Sequence, residues 1–137
     1  MDTSQFFNMV VKRNCEELTW NPDDFRSLWN AIISMNTVPE YMALDQLGYA
    51  QVSRELLART ANQIREKDQS LIGLKFCAET LKHARKITSG STFQTVASSS
   101  GVLANDRTTW IIDSTNRSYL LIDVAEGAFQ ALRALVP

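Results

Sequence analysis

Residues 69–87, QSLIGLKFCAETLKHARKI, are apolar on nearly every side of a helical wheel, and this limits the fold more than any other stretch. At about 100° per residue, Leu71, Leu74, Cys77, Ala78, Leu81 and Ala84 fill one broad side. Ile72, Phe76 and Ile87 extend that surface the other way round, leaving Lys75, Glu79, Lys82 and Lys86 as a narrow polar stripe. A helix of this kind must be surrounded by protein, so the pattern predicts a central helix over 69–87. At 137 residues the chain is long enough to provide those surroundings as one domain, burying about two-thirds of its unfolded surface.

Helix-start chemistry precedes this segment. In NPDDF, Asn21 reads as a cap, Pro22 as the first helical residue, and Asp23 and Asp24 as acids at the positive end of the dipole. The helix predicted from there, over 22–36, sets Phe25, Leu28, Trp29, Ile32 and Met35 on one arc. TVPE pairs Thr37 with Glu40 as a capping box, opening a second helix that ends near Gly48. SQFFNMVVKRN (4–14) suits a short N-terminal helix, and 51–67 another, with Glu55 and Arg59 spaced as a helical ion pair.

Beyond TSGS (88–91) the period changes. TFQTVA (92–97) reads as a weak strand, SSSGVLAND as a loop, and 108–113 and 118–124 as stronger strands joined by STNR. In DVAE, Asp123 and Glu126 form a second capping-box pattern, opening a helix through Phe129, Leu132 and Leu135. The fold class is therefore α+β. A helical part of four to five helices (4–87) precedes a small antiparallel β-meander and a C-terminal helix (92–136), within a single domain of residues 1–137.

The hairpin poses the functional question. With Asn116 and Arg117 at the turn, Asp113 faces Leu120. Alternation then sets Trp110, Ile112, Tyr119 and Leu121 on one face, and Ile111, Leu120, Ile122 and Val124 on the other. Both faces need cover, and a three-stranded sheet leaves an open edge. The excess of apolar strand surface points to a non-enzymatic interaction or assembly module. It would self-associate as a homodimer, or join another subunit, through Trp110, Ile111, Tyr119, Leu120, Ile122, Phe129 and Leu132.

Charge supplies the alternative. The net charge of −1 conceals a middle segment, 51–90, with eight bases against four acids, beside an N-terminal segment, 1–50, with three against seven. Lys75, Lys82, Lys86, Arg54 and Arg65 are candidate phosphate contacts for nonspecific nucleic-acid binding. Interleaved acids (Glu55, Glu66, Asp68, Glu79) and the lack of an alternating aromatic favour a solvated face, or packing of the two segments on each other.

No catalytic, cofactor or metal constellation is legible. His83 is the only histidine and reads as bordering the core beside Phe76; Cys77 diverges from it on the wheel. Asp113 and Asp123, flanked by apolar residues, are the better carboxylates for acid–base work, but they fall on opposite faces in this register. No P-loop or GxGxxG pattern occurs. Cys15 and Cys77 stand outside any CxxC, and the opening MDTSQ is no signal peptide, so the expectation is reduced thiols in the cytoplasm and no membrane span.

Overall fold

The computed structural model describes residues 1–49, 51–83, 85–87, 101–104, 109–112 and 117–137. An N-terminal helix is built from α1 (Thr3–Phe6), a π-helical turn (Phe7–Val11) and α2 (Lys12–Trp20). Helices α3 (Phe25–Leu47), α4 (Arg54–Arg65) and α5 (Gln69–His83) follow. Short strands β1 (Arg85–Ile87), β2 (Gly101–Ala104), β3 (Thr109–Ile112) and β4 (Ser118–Leu120) lead into α6 (Leu121–Leu135). The described chain is mostly helical and ends in a helix.

The central element is α3, not the expected 69–87 helix. Ala31, Ile32, Met35, Val38 and Ala43 are wholly withdrawn from solvent, and α3 touches every other helix. Its composition hides this. Ser27, Ser34 and Asn36 are buried among the apolar residues, and Ser34 Oγ and Thr37 Oγ1 return to the helix's own carbonyls of Ala31 (3.2 Å) and Ile33 (3.0 Å). A hydroxyl satisfied in this way costs little to bury. Phe25, at the start of the predicted arc, stays exposed, and Trp29 is half-buried.

Two predicted helices, 22–36 and 37–48, are therefore one. It starts later than expected: Asp24 is the cap, accepting from Ser27 N (3.1 Å) and Ser27 Oγ (2.7 Å), while Asn21 and Pro22 belong to the preceding turn. It also runs through Pro39. Proline brings no N–H and crowds the carbonyl four residues back, so Thr37 and Glu40 read as a natural restart. Packing on both sides of Pro39, with Val38 and Pro39 buried, overrides that local signal. Gly48, at φ +73°, ends the helix in backbone that L side chains rarely adopt.

Helix α5 keeps Leu71, Leu74, Cys77, Ala78 and Leu81 buried as expected, but Ile72 is exposed and the helix stops at His83. Residues 85–87 form β1, parallel to β2 in the segment read as a loop. The predicted strand 92–97 lies outside the described residues. β2 and β3 pair antiparallel, as do β3 and β4. The hairpin register differs from the expected one: Leu120 lies across from Trp110, not Asp113, and Ile111 lies across from Tyr119. An odd displacement exchanges faces, so Ile111 and Tyr119 share one.

The predicted strand 118–124 ends at Leu120, and the chain turns directly into α6. The reason is visible in the burial of Leu121, Ala125, Ala128 and Leu132, whose spacing is helical from the first member. Leu120 is the cap and bonds no N–H through its side chain; Asp123 is a first-turn acid, not the cap.

The N-terminal helix is clasped to α3. The Asp45 carboxylate accepts from Thr3 N (3.0 Å), from Thr3 Oγ1 and from the Tyr49 hydroxyl (2.7 Å). The Thr3 hydroxyl, ahead of other contacts, holds the Asp45 pKa below the usual carboxylate value, and the bond to Asp45 pushes Tyr49 up to about 12. A depressed carboxylate pKa contributes stability above its unfolded value of about 4 and loses it as pH falls through the folded value. Asp45→Asn is accordingly expected to lower stability near neutral pH by about 0.5–1 kcal/mol. The deficit against the native chain should close as pH drops below about 4, read by denaturant melts across pH.

Candidate functional site: a helix groove and a basic pocket

Two concavities among the described residues share no lining residue. The larger, about 920 Å³, lies between α2 and α6 and is floored by Leu18, Pro22, Ile122, Ala125 and Phe129. Helical spacing explains the floor: Ile122, Ala125 and Phe129 recur on one side of α6, next to the buried Leu121–Leu132 stripe. The Phe129 ring stacks on Phe7 (centroids 5.8 Å apart), itself set in the π-helical turn with Lys12 Nζ 5.7 Å above it. The rim carries Lys12 and Arg133 against Glu16 and Glu126. At the α2 end Trp20 is 83% exposed, beside the groove residues Thr19 and Pro22.

Of the predicted contact residues, Ile122 and Phe129 open onto this groove. Tyr119 and Leu120 are half-buried on β4, with Tyr119 against Phe76 (5.5 Å) and under Arg117 (5.2 Å). Ile111 and Leu132 must be withdrawn from the proposed surface: both are 0% exposed, enclosed by the chain's own core. Helices α5 and α6 cover the Ile111 face, because the true register turns it inward together with Tyr119. Trp110 sits on β3 between Leu103 and Leu120. Sequence reasoning passed over Trp20, although it stands about 200° from Leu18 on the wheel, off the apolar stripe that ends there.

The smaller concavity, about 480 Å³, lies between α3, α4 and α5 and gathers four of the five predicted phosphate contacts: Arg54, Arg65, Lys75 and Lys82. The fifth, Lys86, is on β1 opposite Val102. Arg65 is not on a solvated face but 5% exposed. Its Nη2 donates to the Asn36 carbonyl (3.0 Å) and its Nη1 to Asn62 Oδ1 (3.0 Å), an oxygen that also accepts from Lys75 Nζ (3.1 Å). Glu40 and Glu79 reach the two cations only at 3.9 and 3.8 Å, from largely exposed positions. Burial pulls the Arg65 pKa below the usual arginine value, with Glu40 and Glu79 acting against it. His83 is exposed at the pocket edge instead of bordering the core.

The remaining candidates do not converge on chemistry. Burial, with Glu16 adding to it, pushes the Cys15 thiol up to about 11, and burial alone pushes Cys77 to about 12, so neither is a ready thiolate nucleophile. Asp123 is exposed and lines neither concavity; Asp113 lies outside the described residues. Among the described residues no helix is long and apolar enough to cross a membrane.

Comparison with protein-family models, curated proteins and solved structures finds no match. The geometry alone therefore ranks the sites. Ile111→Lys should unfold the chain, since it places an unpaired charge in the core at a cost of more than about 4 kcal/mol. Ile122→Lys should leave the chain folded, its ammonium reaching water along the groove. Circular dichroism melts of the two variants separate these outcomes.

Proposed function

We propose that this chain is a non-enzymatic assembly module that pairs with a second copy of itself through the groove between α2 and α6. The observation that carries this reading is the open groove onto which Ile122 and Phe129 face, with Trp20, 83% exposed, next in sequence to its lining residue Thr19. Indoles left in water next to a concavity of matching character are the usual anchors of protein interfaces. In a two-fold pairing, Trp20 of one copy seats over Ile122 and Phe129 of the other, and the exchange is reciprocal.

The rim supports a like partner. Its two bases and two acids, Lys12 and Arg133 with Glu16 and Glu126, give a surface that is complementary to itself when rotated. The finer expectation belongs to the same proposal: β2, β3 and β4 act together as an antiparallel meander that flanks the contact. β4 is an outer strand, and Tyr119 and Leu120 on it keep part of their surface. A cytoplasmic setting fits two unpaired cysteines.

Nucleic-acid binding is the weaker reading. Arg65 is buried and Lys75 turns to Asn62, whereas a polyanion is held by an outward row of cations.

Light scattering after gel filtration tests the proposal. The native chain should elute as a dimer at micromolar concentration, and Trp20→Ala and Ile122→Lys should each give a folded monomer. A native chain that remains monomeric at its highest soluble concentration overturns the reading. So does a dimer indifferent to both substitutions.

A further inference from the structure

We propose that the pocket between α3, α4 and α5 binds a small ligand through a phosphate monoester group, held by Lys75, Lys82 and Arg54 around the fixed charge of Arg65. Charge in this pocket is out of balance. Arg65 and Lys75 both donate to the neutral oxygen Asn62 Oδ1, at 3.0 and 3.1 Å, so two cations converge on an atom that offsets neither charge. The carboxylates that could do so stand at the outer limit of pairing, 3.9 and 3.8 Å, with half or more of each side chain in water. With Arg54 and Lys82 on the same lining, four bases face two acids. An excess of bases whose carboxylate partners stand at the limit of pairing favours an added anion, and a phosphate dianion carries both the charge and enough acceptor oxygens.

A second observation coincides with the first. Among the described residues, the buried side-chain polar atoms without a hydrogen-bond partner are Arg65 Nε and Asn36 Oδ1, and both residues line this pocket. Buried polar groups are mostly satisfied in folded proteins, and of these two atoms it is Arg65 Nε, a charged donor, that suits an anion.

Shape selects a small molecule over a polymer. A space of about 480 Å³ lies within the range of ligand sites and exceeds a phosphate group alone. Leu57, Ala58 and Ala61 supply an apolar wall for the organic part. Glu40 and Glu79, which also line the pocket with half or more of each side chain in water, disfavour a continuous backbone of phosphates. The site shares no residue with the self-association groove and stands independently of it.

The test is calorimetry and thermal melting of the full chain with three probes at matched ionic strength: inorganic phosphate, phenyl phosphate and a single-stranded oligonucleotide. Both phosphates should raise the unfolding midpoint relative to chloride, and phenyl phosphate should bind more tightly than inorganic phosphate by using the apolar wall. The double variant Lys75→Gln with Lys82→Gln alters partly or wholly exposed side chains and should stay folded while losing affinity by about tenfold or more. Arg54→Gln should weaken binding on its own, and Lys12→Gln, in the other groove, should not. The proposal falls if neither phosphate shifts the midpoint, or if the double variant binds phenyl phosphate as the native chain does. It also falls if the oligonucleotide binds more tightly than phenyl phosphate with steep salt dependence, which is the signature of a polyanion surface.

Discussion

The rest of the structure depends on one long helix that keeps its course through a proline. Pro39 interrupts the hydrogen bonding of α3, the helix against which all the others pack. In an exposed helix interior that residue costs about 3 kcal/mol. Here the stretch lies inside the domain, with Val38 and Pro39 buried, and Arg65 on α4 donates to the nearby carbonyl of Asn36. The guanidinium, 5% exposed, is held by that backbone group and by Asn62 Oδ1, with the Glu40 carboxylate 3.9 Å away. A carbonyl of α3 and a side-chain oxygen of α4 thus hold a buried charge on α4, and that charge gives the neighbouring pocket its character.

Much of the helical half was legible. The apolar side of 69–83 came through because Leu71, Leu74, Cys77, Ala78 and Leu81 repeat at helical spacing without polar interruption. The dominance of α3 did not, because its buried side includes Ser27, Ser34 and Asn36, and a hydropathy pattern cannot see that hydroxyls are satisfied within the helix. Capping patterns misled for a related reason. Thr37 with Glu40 and Asp123 with Glu126 have the right residues at the right spacing, but continuous burial carries the helix across both. A cap specifies a start only when tertiary packing leaves one available.

The strands were harder to read because so few residues decide them. Ile111 and Leu132 looked like surplus apolar surface, when they are core; the displaced register and the early onset of α6 place both inside. Ile122 and Phe129 kept their part only because α6 turns them toward the α2 groove. The bases of 51–90 looked dispersed along two helices, yet α4 and α5 approach so that Arg65 and Lys75 share one oxygen. That juxtaposition spans two elements, and no periodicity within either one encodes it.

The π-helical turn at Phe7–Val11 bears on how the N-terminal helix tolerates change in length. It lodges one more residue per turn than the α-helix around it, with Phe6 against Tyr41 on one side and Phe7 against Phe129 on the other. Removing a residue there would let the backbone relax into a regular helix without penalty to its own hydrogen bonds. Residues downstream would keep their helical phase, leaving Leu18 in the core. The bulge thus takes up one residue of length without changing the face that α2 presents to α6.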